Sequence, residues 1–291
     1  MSIDTIIRSR GNDSLTLEEM QRRLPAIFAP QPHVSRSDRY VYVSTEDVMT
    51  ALMEKGFVPV EARVTRSRDP DRKNYTKHMV RMRLLGETAL AVGDTFLEVI
   101  LRNAHDGTAA YDFMAGLFKL LCLNGMAVDD GTIASVHIRH AGNRDRQIQQ
   151  VVDGAFQIVE HAPLALEAPK VWPAIKLTRD EQMAFAESAR TVRFGDKEGN
   201  VDTPITAEQL LYVRREADRG TGPNGRSDLW RTFNVVQENT VKGGLHARIQ
   251  NDRGRWRNMS TREVKSIDGD LKLNRALWQL ASEMAKLKAA A

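Results

Sequence analysis

Alternating apolar and polar positions divide the chain into a strand-rich middle and a helical second half. Val58, Val60, Ala62 and Val64 alternate with Pro59, Glu61, Arg63 and Thr65, and Val80, Met82 and Leu84 with Met79, Arg81 and Arg83. Leu97, Val99 and Leu101 alternate with Phe96, Glu98, Ile100 and Arg102. Period two marks half-buried antiparallel strands, predicted here over 58–64, 78–85 and 95–102, with a fourth over 132–140. Before that fourth strand, Phe113, Leu117, Leu120 and Leu121 keep helical spacing, so a helix is predicted from Thr108 to the Asn124-Gly125 pair. The order β-β-β-α-β implies an α+β fold, an antiparallel sheet packed on helices.

Elsewhere the period is that of a helix. Ile148, Val151, Val152, Ala155, Phe156 and Val159 form an amphipathic stripe. Thr16 to Glu19, Thr178 to Glu181 and Thr206 to Gln209 have the spacing of capping boxes, and Ser44 caps a helix closed by Gly56. Ser227 is expected to cap a helix through Val241. The last helix carries Leu273, Leu277, Leu280, Met284 and Leu287 on one stripe that needs a partner. Residues 214–226 read as a polar, Gly-rich loop. The expected organisation is an N-terminal helical segment (1–56), an α+β core (57–165) and a mainly helical C-terminal region (166–291).

A chain of 291 residues with 42% apolar and 27% charged residues buries a core without staples. Its single cysteine, Cys122, excludes an internal disulfide. No run of 18 apolar residues and no signal-peptide pattern occurs. A cytoplasmic protein without a membrane span is expected.

Charge changes the picture more than composition does. The formal net is +4, yet residues 63–83 carry +6 and residues 248–265 carry +4, leaving the rest of the chain at −6. Two basic stretches on an otherwise acidic chain suit a polyanion, although a solvated loop has the same composition. If the polar faces of the strands lie side by side, they present Arg63, Arg81, Arg83, Arg102, His137 and Arg139 with Glu61 and Glu98 between them. Two readings are open for this face: a groove in which guanidinium forks hold phosphates, or cross-strand Arg–Glu pairing. The stretch SRDPDRKNYTK (67–77) reads as a long mobile loop beside it, with Arg66, Arg68, Arg72, Lys73 and Lys77 as phosphate contacts and Tyr75 and Phe96 as stacking surfaces. In the second stretch Arg253, Arg255 and Arg257 bracket Trp256 and could sandwich a base. The alternative there is a hairpin turning at Asp252 to Gly254 with Trp256 packed inward.

Enzymatic signals are few. Phosphate-loop, dinucleotide, HExxH and GxSxG motifs are absent from the sequence. His105 and Asp106 could ligate a metal, but Asp129 and Asp130 would lie about 20 Å away across the predicted helix, and Asp106 before Gly107 reads as a turn residue. No metal and no cofactor is expected.

The strings NAHDGTAAYDFMAGLFKLLCLNGM (103–126) and SDLWRTFNVVQENTVKGG (227–244) resemble the signature blocks of a phage/plasmid-like protein family of unknown function carried on bacterial mobile elements. The likeness extends loosely from HMVRMRL (78–84). It implies a phage or plasmid origin and assigns no catalytic residue. In the 227–244 helix, Arg231, Asn234, Gln237, Glu238 and Asn239 either line a groove or cap neighbouring backbone. In topology and setting the chain is also similar to phage single-strand-annealing recombinases, which implies a homo-oligomer that lays single-stranded DNA in a basic groove and works without ATP. The expected function is therefore single-stranded DNA binding, extended to strand annealing in recombination. A protein-interaction module acting on a host defence factor, or a metal-dependent nuclease centred on His105 and Asp106, is the alternative.

Overall fold

A computed structural model describes residues 6–9, 13–37, 40–84, 91–92, 95–119, 124–127, 136–138, 143–160, 162–214, 227–250 and 254–290. The chain forms two compact units, Met1–Leu166 and Glu167–Ala291. Among the described residues, no helix is long and apolar enough to cross a membrane.

The first unit is α+β. Its strands are β1 (Ile6–Arg8), β2 (Phe57–Val64), β3 (His78–Leu84), β4 (Ala91–Val92), β5 (Thr95–Asn103), β6 (Tyr111–Lys119), β7 (Asn124–Ala127) and β8 (Val136–Ile138). They build an antiparallel sheet in the order β1-β2-β3-β5-β6-β7, with β4 on β5 and β8 on β6. Helices α1 (Leu17–Arg23), α2 (Thr45–Met53) and α3 (Arg144–Glu160) complete the unit, and α2 and α3 pack against the sheet. The caps sit where the sequence places them: Thr16 Oγ1 accepts from Glu19 N and Ser44 Oγ from Asp47 N. The core lies where Val48, Met49 and Leu52 of α2 and Val151, Val152 and Ala155 of α3 join the buried Val80, Val99, Leu101 and Phe113.

The segment predicted as a helix from Thr108 is strand β6 instead. Tyr111, Phe113, Ala115 and Leu117 alternate with Asp112, Met114 and Gly116, and all but Asp112 and Gly116 are apolar and buried. A strand buried on both faces reads as a continuous apolar run, which helical spacing also fits. The first unit therefore has a sheet with one more long central strand than the order β-β-β-α-β allows. Residues 120–123 and 128–135, which include Cys122, Asp129 and Asp130, lie outside the described residues.

The second unit is mainly helical. After α4 (Ala162–Val171) come β9 (Lys176–Leu177), α5 (Arg179–Phe194), α6 (Ala207–Leu210), β10 (Ser227–Asp228), α7 (Leu229–Lys242), β11 (His246–Gln250), β12 (Trp256–Ser260) and α8 (Ile267–Ala290). Complete capping boxes start α5 at Thr178 and α6 at Thr206. The cap of α7 is Asp228, one residue beyond the expected Ser227; its carboxylate accepts from Arg231 N while Ser227 pairs with Leu177 in the β9–β10 ladder. Helices α5, α7 and α8 pack together around Trp172, Trp230, Phe233 and Trp278, with the Trp172 and Trp278 ring centroids 4.7 Å apart. On α8, Leu273 and Leu277 are buried as expected, whereas Leu287 at the far end of the stripe is exposed.

Gly116 is the tight point of the sheet. A Cβ built there would stand 2.7 Å from Arg81 Nη2 and 2.7 Å from Ile100 Cδ1, so β6 admits only a hydrogen at the place where Arg81 crosses it. Gly116→Ala is expected to lower stability by about 1–3 kcal/mol through overpacking, read as a lower midpoint in chemical denaturation. An unchanged midpoint would mean that β6 does not run beneath Arg81.

Candidate nucleic-acid interface

Strand register decides which charged side chains meet. Glu61 pairs with Arg81 across β2–β3, Arg83 with Glu98 across β3–β5, and Arg102 with Asp112 across β5–β6. Arg8 on β1 stands opposite Glu61. One face of the sheet therefore carries Arg63, Arg81, Arg83 and Arg102 with Glu61 and Glu98, as alternation predicts, and adds Arg8 and Asp112, which alternation does not predict.

The expectation that this face is open to a polyanion is overturned by burial. Arg63, Arg81 and Arg83 are 4%, 2% and 2% exposed. Arg63 Nε and Arg8 Nε both donate to the Glu61 carboxylate, the latter at 2.7 Å. Arg81 Nε and Arg83 Nη2 donate to the two oxygens of Glu98 at 2.6 and 2.8 Å. Arg81 also donates to the Leu117 carbonyl at 3.2 Å, and Arg102 Nε reaches Asp112 at 2.7 Å. These guanidiniums are ion-paired within the fold, because a charge taken out of water must be paired. Placing Asp112 on a helix hid one of the three carboxylates that balance them. Phe96, a sequence candidate for stacking, has the Arg83 guanidinium over its ring at 4.6 Å. Arg139 lies outside the described residues.

Burial alone would raise the pKa of Glu61, but the guanidiniums of Arg63, Arg8 and Arg81 outweigh it and hold the group at about 2, below the ordinary 4.5.

The basic loop after β2 is tied down rather than loose. Thr65 N donates to Lys77 O at 2.9 Å, Tyr75 N to Arg72 O at 2.9 Å, and the Tyr75 carbonyl accepts from both His105 N and Asp106 N at 3.1 Å. The Tyr75 ring meets His33 edge-on at 5.2 Å, so it serves packing. Arg72 faces Asp69 at 3.5 Å, and Lys77 is half-buried. Arg66, Arg68 and Lys73 are the exposed cations of this loop.

His105 and Asp106 have structural work. Asp106 Oδ1 accepts from Thr108 N at 3.0 Å and Thr108 Oγ1 at 2.6 Å, the turn role read from the sequence. His105 is fully buried, with Nε2 3.3 Å from the Ile27 carbonyl and 3.4 Å from Thr45 Oγ1. Thr45 Oγ1 also accepts from Asn103 Nδ2 at 3.0 Å and the Tyr111 hydroxyl at 3.0 Å, and stands 2.8 Å from His78 Nε2. Since His78 Nδ1 faces the Thr76 carbonyl at 3.0 Å, that nitrogen carries the proton and Nε2 accepts from Thr45. Burial drives the Tyr111 hydroxyl pKa far upward, so it stays a donor. Among the described residues, no three His, Cys, Asp or Glu side chains are grouped as a metal would need.

The second basic stretch is a hairpin, β11–β12, and among the described residues no other strand pairs with it. Its base is held by Gly244 N to Thr261 O at 2.8 Å, Leu245 N to Thr261 Oγ1 at 3.0 Å and Gln209 Nε2 to His246 O at 2.6 Å. Gly243 makes the turn at positive φ, where a Cβ would stand 2.6 Å from the Arg262 carbonyl carbon. No residue of either strand is buried, and Trp256 is 60% exposed, which overturns the alternative of an inward tryptophan.

Register again corrects the choice of partners. Gln250 pairs with Trp256, Arg248 with Asn258 and Ile249 with Arg257. Trp256 thus shares a face with His246, Arg248, Gln250 and Asn258, whereas Arg257 projects from the other face with Ala247, Ile249 and Met259. Arg255 is exposed just outside the ladder, and Arg253 lies outside the described residues. The cation beside Trp256 is Arg248, its guanidinium carbon 5.6 Å from the ring centroid. A turn centred on residue 253 already implies that pairing, so Arg248 was within reach of the sequence once the hairpin was drawn as a ladder.

The polar residues of α7 serve the fold. Asn239 Nδ2 donates to the Leu210 and Tyr212 carbonyls at 2.8 and 2.9 Å and its Oδ1 accepts from Arg214 Nε at 2.7 Å, while Gln237 Nε2 donates to Asn274 Oδ1 at 2.7 Å. Asn234 Nδ2 donates to Trp230 O at 2.7 Å, Glu238 pairs with Lys242 at 3.0 Å, and Arg231 with Asp228 at 3.2 Å.

Residues 32–278 match the family model described as Domain of unknown function (DUF932). The chain is similar to UPF0380 protein YafZ of Escherichia coli (strain K12), 38% identical over 275 residues that cover 94% of this chain and 93% of that one. It is likewise similar to UPF0380 protein YfjQ of the same strain, 37% identical with the same coverage. No solved structure matches.

Because its folded-state pKa is depressed, Glu61 contributes stability that is fully present above pH about 4.5 and is lost as pH falls toward about 2. Glu61→Gln is expected to destabilise the protein at pH 7 by about 3–5 kcal/mol, since it strips a buried cation of its carboxylate. The gap between wild-type and variant denaturation curves should narrow between pH 4.5 and 3. A gap that stays constant over that range would mean Glu61 titrates normally.

Proposed function

The chain belongs to the DUF932 family, a domain of unknown function, and on that premise we propose that it binds single-stranded DNA through the exposed face of the β11–β12 hairpin. The observation that carries this reading is Trp256, 60% exposed with Arg248 over its ring, on a strand pair of which no residue is buried. A large aromatic held in water on an anchored ribbon is a ready stacking platform whose burial under a ligand is favourable. A nucleobase supplies the flat face, and Arg248 with the exposed Arg255 supplies charge for phosphates. Duplex DNA offers no free base face, so the single strand is preferred.

The exposed Arg66, Arg68 and Lys73 of the first unit offer a separate phosphate-binding loop in this proposal. The buried sheet-face arginines have no part in it. Strand annealing extends the reading: a base held by its face keeps its pairing edge free for a complementary strand. A mobile-element setting, implied by the likeness of the 103–126 and 227–244 strings, provides such strands.

The test is a titration of fluorescent single-stranded and duplex oligonucleotides across a salt series. Binding of the single strand is expected to be tighter and steeply salt-dependent, and Trp256→Ala should weaken it about tenfold, as loss of one stacked base does. Arg248→Ala should weaken it and flatten the salt slope by about one counterion. Equal affinity in both variants, or no binding at low salt, would overturn the reading and leave the hairpin to a protein partner.

A further inference from the structure

Beside the hairpin lies an open cleft of about 650 Å³, within the size range of small-molecule sites. Its lining includes Arg179, Glu208, Gln209, Tyr212, Leu245 and His246. His246 is also the first residue of β11 and shares a hairpin face with Arg248, Gln250 and Trp256. The cleft therefore meets the face that carries Trp256 at His246.

Tyr212 gives the cleft an aromatic of its own, and it is 65% exposed. Its backbone is fixed on both sides: Tyr212 N donates to Gln209 O at 3.2 Å and its carbonyl accepts from the buried Asn239 at 2.9 Å. The ring is thus presented by a held backbone rather than by a loose loop, which lowers the ordering cost of stacking on it. Charge selects the occupant. Arg179 and Glu208 pair with each other, so the cleft brings no surplus arginine to bind a phosphate, while its aromatic and apolar lining suits a flat ring.

We propose that this cleft is a second nucleobase subsite, with Tyr212 as its stacking platform, on the same strand path as Trp256. The proposal rests on the hairpin reading and adds a direction to it. Gln250, the partner of Trp256, lies four positions along β11 from His246, which is about 14 Å of strand. One DNA strand running along this face places one base on Trp256 and another, a few nucleotides away, in the cleft.

The experiment compares the full-length protein with Tyr212→Ala, Tyr212→Phe and Trp256→Ala on oligothymidylates of two and eight nucleotides, with thermal melts to confirm that each variant folds. The eight-nucleotide probe is expected to bind about tenfold more weakly to Tyr212→Ala and to Trp256→Ala, and equally well to Tyr212→Phe, which keeps the ring. The two-nucleotide probe, too short to span both sites, keeps one intact subsite in each single variant and should weaken no more than about twofold in either. Loss confined to Trp256→Ala at both lengths would overturn the cleft subsite and leave the hairpin reading standing. Absence of binding by the wild-type protein would overturn both.

Discussion

The first unit depends on a charge ladder that runs through its sheet instead of over it. Two carboxylates, Glu61 and Glu98, each take guanidiniums from two arginines, Arg8 and Arg63 for one, Arg81 and Arg83 for the other. Such pairs add little net stability over an apolar core of the same volume, but breaking one is costly. Their effect is to forbid alternatives. A slip of one residue in β3 would turn Arg81 and Arg83 toward α2 and α3, into a layer built from Val80, Val99 and Phe113. Register in the centre of this sheet is thus specified twice, by the apolar face and by the ionic one, and Gly116 leaves the room that the ionic one needs.

Much of this was legible in the chain and some was not, for definable reasons. The strands β2, β3 and β5, the helix α3 and the caps at Thr16, Ser44, Thr178 and Thr206 follow from local pattern because their signals are short-range. The same alternation correctly groups Arg63, Arg81, Arg83 and Arg102 on one face. It cannot say whether that face is wet, since period two reports which side a residue takes and nothing about what covers it. β6 escaped because a strand buried on both faces loses alternation. Trp256 was singled out from composition, yet its partner Arg248 depended on cross-strand register, a non-local quantity.

The second unit separates support from display. The amides of α7 are buried and bond to the 210–214 backbone, to Arg214 and to α8, and the base of the hairpin is fixed through Thr261 and Gln209. Among the described residues, the unit's exposed large aromatics are Trp256 and Tyr212, and Val171, Val192 and Leu287 are its other exposed large apolar side chains. An isolated two-stranded ribbon is marginal in water, so this blade owes its order to the bonds at its base. A surface so arranged can meet a ligand without first folding around it.

Thr45 has a consequence of a different kind. Its single hydroxyl accepts from Asn103 and Tyr111 and donates to His78, with His105 at its edge, and each of these residues comes from a different strand, helix or turn. Three hydrogen bonds saturate one oxygen. None of the partners can be exchanged for a residue of another polarity while the others stay as they are, so substitutions at these positions are epistatic. Each becomes tolerable only together with a matching change elsewhere in the set, and lineages that drift apart at this junction would have to do so by correlated steps.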